Sequence, residues 1–121
     1  MVLRTQPTIL LIGRDANLGY LLARFAEHSG YQSKIRAELG SSREITSMKP
    51  AVIIFLSTEL LARDQTLVAE LSNLDAPILV CSSAVEEARA RELGADYCLL
   101  HPLTYNEFQT ALATVATSKG S

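Results

Sequence analysis

Ala51-Val52-Ile53-Ile54-Phe55-Leu56 is a run of six apolar residues, preceded by Pro50 and followed by Ser57. No polar residue alternates within it. A strand that is apolar at every position is buried on both faces, as in a parallel sheet covered by helices on each side. In an open parallel α/β sheet, ligands and chemistry gather at the carboxyl ends of the strands. This strand ends in Leu56 and Ser57, and no acid occurs between Lys49 and Glu59. Its tip therefore offers a packing group where a charge would be needed for chemistry.

The same alternation of short apolar runs and helical periods extends in both directions. Residues 8–12, 31–36, 77–81 and 97–100 read as the other strands, with 31–36 more polar and therefore near a sheet edge. Leu18, Leu21, Leu22 and Phe25 recur at i, i+3, i+4 and i+7, which is one face of a helix. Gly30 suits that helix's end. Ser41 with Glu44, Ser83 with Glu86 and Thr104 with Glu107 each have the spacing of a capping box at a helix start. A further helix is expected over residues 64–73. The last helix buries Phe108, Leu112 and Val115. Five βα units with right-handed crossovers leave few topologies. The expected fold is a flavodoxin-like α/β sandwich, a five-stranded parallel sheet of order 2-1-3-4-5 with five helices. It forms a single domain over residues 1–121. Residues 117–121 are small and polar and are expected to fray.

Composition narrows the function. The chain has 121 residues, is 48% hydrophobic and 20% charged, and carries a net charge of −2. That is enough apolar material for one core. Neither charge sign forms a run, so no nucleic-acid or membrane footprint appears. No apolar stretch approaches the roughly 20 residues of a membrane span. The beginning, Met1-Val2-Leu3-Arg4, lacks the ordered regions of a signal peptide, so a cytoplasmic protein is expected. Cys81 and Cys98 lie in apolar strand-like runs, in neither a CxxC pair nor a His-rich cluster. They read as reduced core thiols, and no metal or other cofactor is expected. Gly13 and Gly19 fit neither a dinucleotide fingerprint nor a phosphate loop.

The residues at the carboxyl ends of the strands are Gly13, Arg14 and Asp15, then Leu56 and Ser57, then Ser82 and Ser83, then His101 and Pro102. With these in place the chain resembles a receiver domain of a bacterial response regulator. Residues 50–55 are similar to that family's third strand. Gly94-Ala95-Asp96, followed by Leu99-Leu100-His101-Pro102, resembles its Gly-Ala-Asp segment and Lys-Pro turn. The likeness covers nearly the whole chain, and 94–102 is its most specific part.

The resemblance implies aspartyl phosphorylation: a carboxylate accepts a phosphoryl group, and magnesium, a lysine and a hydroxyl hold the phosphoryl oxygens. Carried over residue by residue, the acceptor aspartate falls on Leu56. The paired metal-binding acids fall on Gly13 and Arg14, which leaves Asp15 as the only acid there. The hydroxyl falls on Ser82, which fits. The lysine falls on His101, a shorter side chain that is mostly uncharged at pH 7. Pro102 fits the proline that in this family follows a cis peptide. The aromatic switch falls on Cys98, with Tyr97 one residue early. The scaffold matches and the phosphorylation set does not, which implies a degenerate pseudo-receiver that is not an enzyme.

By the same resemblance, the fourth helix, fifth strand and fifth helix form a surface for protein partners, a homodimer among them. On this chain it comprises Glu87, Arg91, Tyr105 and Gln109, with Tyr97 at its edge. A competing reading makes the degenerate pocket of Arg14, Ser57, Ser82 and His101 a small-molecule or anion site. A third, an active phosphoacceptor, predicts covalent modification. Plainer roles accompany these. Asp15 caps the first helix, Arg14 is a surface arginine paired with Asp15, and His101 is a loop residue.

Overall fold

A computed structural model describes residues 6–38 and 40–119. In chain order the elements are β1 (Thr8–Ile12), α1 (Ala16–His28), β2 (Gln32–Arg36), α2 (Ser42–Met48), β3 (Val52–Phe55) and α3 (Thr58–Arg63). There follow α4 (Gln65–Leu71), β4 (Ile78–Ser82), a 3-10 turn (Ala84–Glu86), α5 (Glu87–Glu92), β5 (Tyr97–Leu100) and α6 (Tyr105–Lys119). The five strands form one parallel sheet of order β2-β1-β3-β4-β5. The expected flavodoxin-like topology is therefore the observed one.

Strand period decides where each side chain goes. Leu10, Ile12, Ile53, Phe55, Ile78 and Val80 face one layer, where they meet Ile45 of α2, Leu61 of α3 and Leu67, Val68 and Leu71 of α4. Ile9, Leu11, Val52, Ile54, Leu79 and Cys81 face the other, against Leu22 and Ala26 of α1 and Phe108, Ala111, Leu112 and Val115 of α6. Both layers are apolar, so β1, β3 and β4 must be apolar at nearly every position. Strand β2 sits at the edge, and four of its five residues are exposed.

The helix starts follow local hydrogen bonding, with two differences from expectation. Asp15 caps α1 by accepting from the Leu18 amide at 3.0 Å. Ser41 accepts from Glu44 N–H, and Thr104 from Glu107 N–H, each at 3.2 Å. Ser83 makes no side-chain cap bond. The chain there winds as the 3-10 turn, and α5 begins only at Glu87. The expected helix over 64–73 is also different. Helical structure starts directly after β3, where Ser57 accepts from the Leu60 amide, and it breaks at Asp64. Asp64 then caps a second helix through the Leu67 amide. Two caps seven residues apart divide this connection, which is why six α-helices stand where five were expected. Leu21 is 38% exposed rather than buried, because the core-facing stripe of α1 runs through Gly19, Leu22 and Ala26. Helix α6 continues to Lys119, through most of the segment expected to fray; Gly120 and Ser121 lie outside the described residues.

Candidate functional site

At the tips of β1 and β3 the site is closed by packing. The Leu56 amide donates to Ile12 C=O at 2.8 Å, which extends the β1–β3 ladder one residue past β3. This fixes the Leu56 side chain on the α1/α6 side of the sheet, where it is 5% exposed. Gly13 lies directly against it, with φ at +151°. A Cβ at position 13 would fall 2.7 Å from Leu56 Cβ and 2.9 Å from both Cγ and Cδ1. A Cβ at Gly19 would stand 3.8 Å from Leu56 Cδ1, which is ordinary contact. Leucine at 56 therefore requires glycine at 13. Neither position bears a carboxylate, and a side chain at 13 is excluded twice, by space and by backbone conformation.

The two charged residues beside this plug are otherwise engaged. Arg14 pairs with Glu38 of the β2–α2 loop, not with Asp15 as expected from sequence. Both partners are well exposed, so the pair contributes little. The Asp15 carboxylate is the α1 cap.

The tips of β4 and β5 are polar but internally satisfied. Ser82 and Thr58 are buried, at 3% exposure each. Thr58 Oγ1 donates to Ser82 Oγ at 3.2 Å, and Ser82 Oγ donates to Ser83 C=O at 3.3 Å. The hydroxyl matched to the phosphoryl clamp is thereby used inside the protein. His101 is exposed, and its amide donates to Ser82 C=O at 3.2 Å. The His101–Pro102 peptide is cis, as the resemblance implies. Both cysteines are free and buried. Burial, with a smaller contribution from the Asp15 charge, pushes the Cys81 thiol up to about 12. Burial also raises Cys98, which Arg91 partly opposes. Among the described residues no group of three His, Cys, Asp or Glu could hold a metal ion. No helix among them is long and apolar enough to cross a membrane.

The segment 94–102 holds the backbone. Gly94, at φ +116°, turns the chain out of α5, and a Cβ there would fall 2.8 Å from Val68 Cγ1. Ala95 is buried. The Asp96 carboxylate accepts from Ile78 N–H at 2.8 Å, and the Asp96 amide donates to Ile78 C=O at 2.7 Å. The acid thus tethers the start of β5 to the start of β4.

A groove of about 390 Å³ runs between α5, β5 and α6. Glu87, Arg91 and Tyr97 line it, as the sequence suggested. Arg91 bonds Glu87 at 3.3 Å across one helical turn and reaches Asp96 C=O at 3.4 Å. Tyr105 and Gln109 do not line it. The Tyr105 ring lies 5.4 Å from Phe25 and 6.1 Å from His28, both on α1, and Gln109 donates to the Tyr105 hydroxyl. Asn106, Glu107 and Thr110 occupy the groove instead. One residue is 100° of rotation on a helix, so a face set one position early turns away from β5. The buried stripe of Phe108, Ala111, Leu112 and Val115 fixes the true orientation, and Ala111 was the missing member.

The fold is that of response-regulator receiver domains. A response regulator receiver protein from Burkholderia phymatum superposes with a TM-score of 0.70 at 17% identity, over 93% of this chain and 96% of that one. A pilus assembly-related protein from Burkholderia pseudomallei gives 0.69 at 21%, over 97% and 96%. A two-component response regulator from Clostridium difficile gives 0.68 at 21%, over 96% and 100%. No protein-family model and no curated protein matches the sequence.

Proposed function

We propose that this receiver-like domain acts in two-component-type signalling by binding other proteins, without phosphotransfer and without catalysis. The observation that carries the reading is the contact between Leu56 and Gly13. An acceptor carboxylate at 56 and a metal-binding carboxylate at 13 are both absent, and the leucine occupies the space between them. Ser82 is held by Thr58 and Ser83, so the remaining clamp group is also withdrawn. The partner surface is the α5–β5–α6 groove, where Tyr97, Leu103 and the Glu87–Arg91 pair combine apolar and charged groups in a concave strip. A cytoplasmic setting goes with this role.

One observation favours a second reading, a small-molecule sensor. Ile12, Phe55, Leu60, Arg63, Asp64 and Glu38 line a cavity of about 250 Å³. It lies at the ends of β1 and β3, the point where the strand order reverses. The pocket expected from Arg14, Ser57, Ser82 and His101 is a different one. The cavity beside Arg14 continues to Tyr20 and Ile35 rather than to those residues.

Incubation with acetyl phosphate and magnesium, followed by intact-mass measurement, tests the main reading. No mass change is expected. A phosphoryl adduct on any aspartate overturns it.

A further inference from the structure

We infer that the α5–β5–α6 groove takes its partner in extended form, as a sixth strand added to the free edge of β5. This rests on the reading of that groove as the partner surface, and it states how the partner is held.

Strand β5 is the last in the sheet, so one of its edges has no neighbouring strand. Strand geometry decides which residues face that edge. The Ile53 amide donates to Pro77 C=O. Residues 77, 79 and 81 therefore turn their backbone groups toward β3, and residues 78, 80 and 82 turn theirs toward β5. The His101 amide donates to Ser82 C=O. Tyr97 and Leu99 share that direction, and Cys98 and Leu100 face outward. The amides and carbonyls of Cys98 and Leu100 make no hydrogen bond among the described residues. Asp96 C=O, the group before them on the same edge, accepts from Arg91 Nη1 at 3.4 Å.

The two edges of the sheet differ in access. On β2 four of five residues are exposed, so water reaches the free backbone groups. All four residues of β5 line the groove, yet Cys98 is 5% exposed and Leu99 2%. The edge lies at the bottom. Glu87 and Arg91 of α5 stand on one side, and Asn106, Glu107 and Thr110 of α6 on the other. Backbone groups this recessed call for a hydrogen-bonding partner. An extended chain presents N–H and C=O at matching alternate positions, which a helix does not. The edge is about 13 Å long at roughly 3.3 Å per residue. The groove of about 390 Å³ lies along it.

A second copy of this chain does not fit. Paired strands lie about 4.8 Å apart, whereas helices about 10 Å wide flank each β5 edge. Two such edges are held apart by their own helices. The occupant is an extended segment of another protein. Its side chains alternate between the α5 and α6 walls. Glu87 and Arg91 neutralise each other on the α5 wall. On the α6 wall Glu107 has no ion pair among the described residues. A lysine or arginine facing it gains a counter-charge, and its stem covers Tyr97 and Leu103.

Short random peptides displayed on phage and selected on the intact chain supply the probe. The selected peptides are expected to carry a lysine or arginine and to lack proline at their centre. Binding should slow amide exchange at Cys98 and Leu100 about tenfold or more, read by NMR. The decisive series methylates the peptide's backbone amides one at a time. Methylation should abolish binding at alternate positions and be tolerated between them, because only every second amide of an added strand faces β5. Thr110→Trp, at an exposed position that narrows the groove, should weaken binding about tenfold or more, and Glu107→Gln severalfold. Circular dichroism checks that both variants are folded. A peptide that Thr110→Trp displaces but that tolerates methylation at every position overturns the added strand and leaves the partner surface standing. Peptides indifferent to both variants, or a selection that yields none, overturn the strand and the partner surface together.

Discussion

The tips of β1 and β3 and the tips of β4 and β5 border one rim of one sheet, yet they are built in opposite ways. The first pair is sealed by an apolar plug, Leu56 against Gly13. The second keeps polar side chains and a cis His101–Pro102 bond, and spends its hydroxyls internally. The difference separates two functions of a receiver-like rim. Groups that hold the backbone are present: Gly94 at its turn, Asp96 on Ile78, Ser82 on Thr58. Leu56, Gly13 and Arg14, which stand where the resemblance places the acceptor and the two metal-binding acids, are not acids.

The comparison breaks first at Leu56. Leu56→Asp places a carboxylate in the apolar space beside Gly13 and is expected to cost about 3 kcal/mol or more in urea unfolding. The variant should still show no phosphoryl adduct, since Gly13 and Arg14 supply no metal site. A loss below about 1 kcal/mol would mean that the rim is open to water there and that the plug is misread. Gly13→Ala tests the same contact from the other side. Its positive φ and its overlap with Leu56 should together cost about 2–4 kcal/mol. Leu56→Ala removes the overlaps with Cγ and Cδ1 at 2.9 Å and leaves both the 2.7 Å overlap with Cβ and the backbone strain. The double variant should therefore be more stable than the sum of single effects, by about 1 kcal/mol. Strict additivity would show that the two residues are not coupled.

The β4 tip gives a smaller, pH-dependent effect. The Cys81 thiol keeps its proton in the folded state until about pH 12, against an ordinary 9.0. The unfolded chain releases that proton first, so stability falls as pH rises between these values. The slope is about 1.4 kcal/mol per pH unit at most. Cys81→Val should remove this component, and a disulfide reagent at pH 8 should label Cys81 only as fast as the protein opens. Rapid labelling of the folded chain would show the β4 tip to be unsealed. The smallest effect belongs to the exposed Arg14–Glu38 pair. Arg14→Gln should change stability by about 0.5 kcal/mol or less, and by nothing measurable at high salt.

The fold was legible wherever burial is uniform. A strand with helices on both faces leaves no room for polar residues, so Val52–Phe55 and Ile78–Ser82 show themselves as continuous apolar runs, Ser82 excepted. The helix boundaries between them were less legible. Ser57 and Asp64 are ordinary polar residues until a free amide three positions on gives each a bond. Ser83 had the right spacing and still caps nothing, because the chain leaves β4 as a 3-10 turn. The rim was legible in its absences, since no folding can make Leu56 an acid. Its pairings were not. Glu38 reaches Arg14 across 24 residues of sequence, and Thr58 reaches Ser82 across 24 more.

The sequence by itself determined the doubly covered parallel sheet, its strand order and the absence of an acid at the tip of β3. These follow from side-chain chemistry and from period along the chain. Only the tertiary structure decided that Leu56 and Gly13 are one steric unit, and that Ser82 is consumed by Thr58. It also decided that Tyr105 and Gln109 face α1 rather than the α5–β5–α6 groove. Each of those depends on a distance between residues far apart in the chain, or on a helix rotation set by its neighbours. Local pattern carries neither.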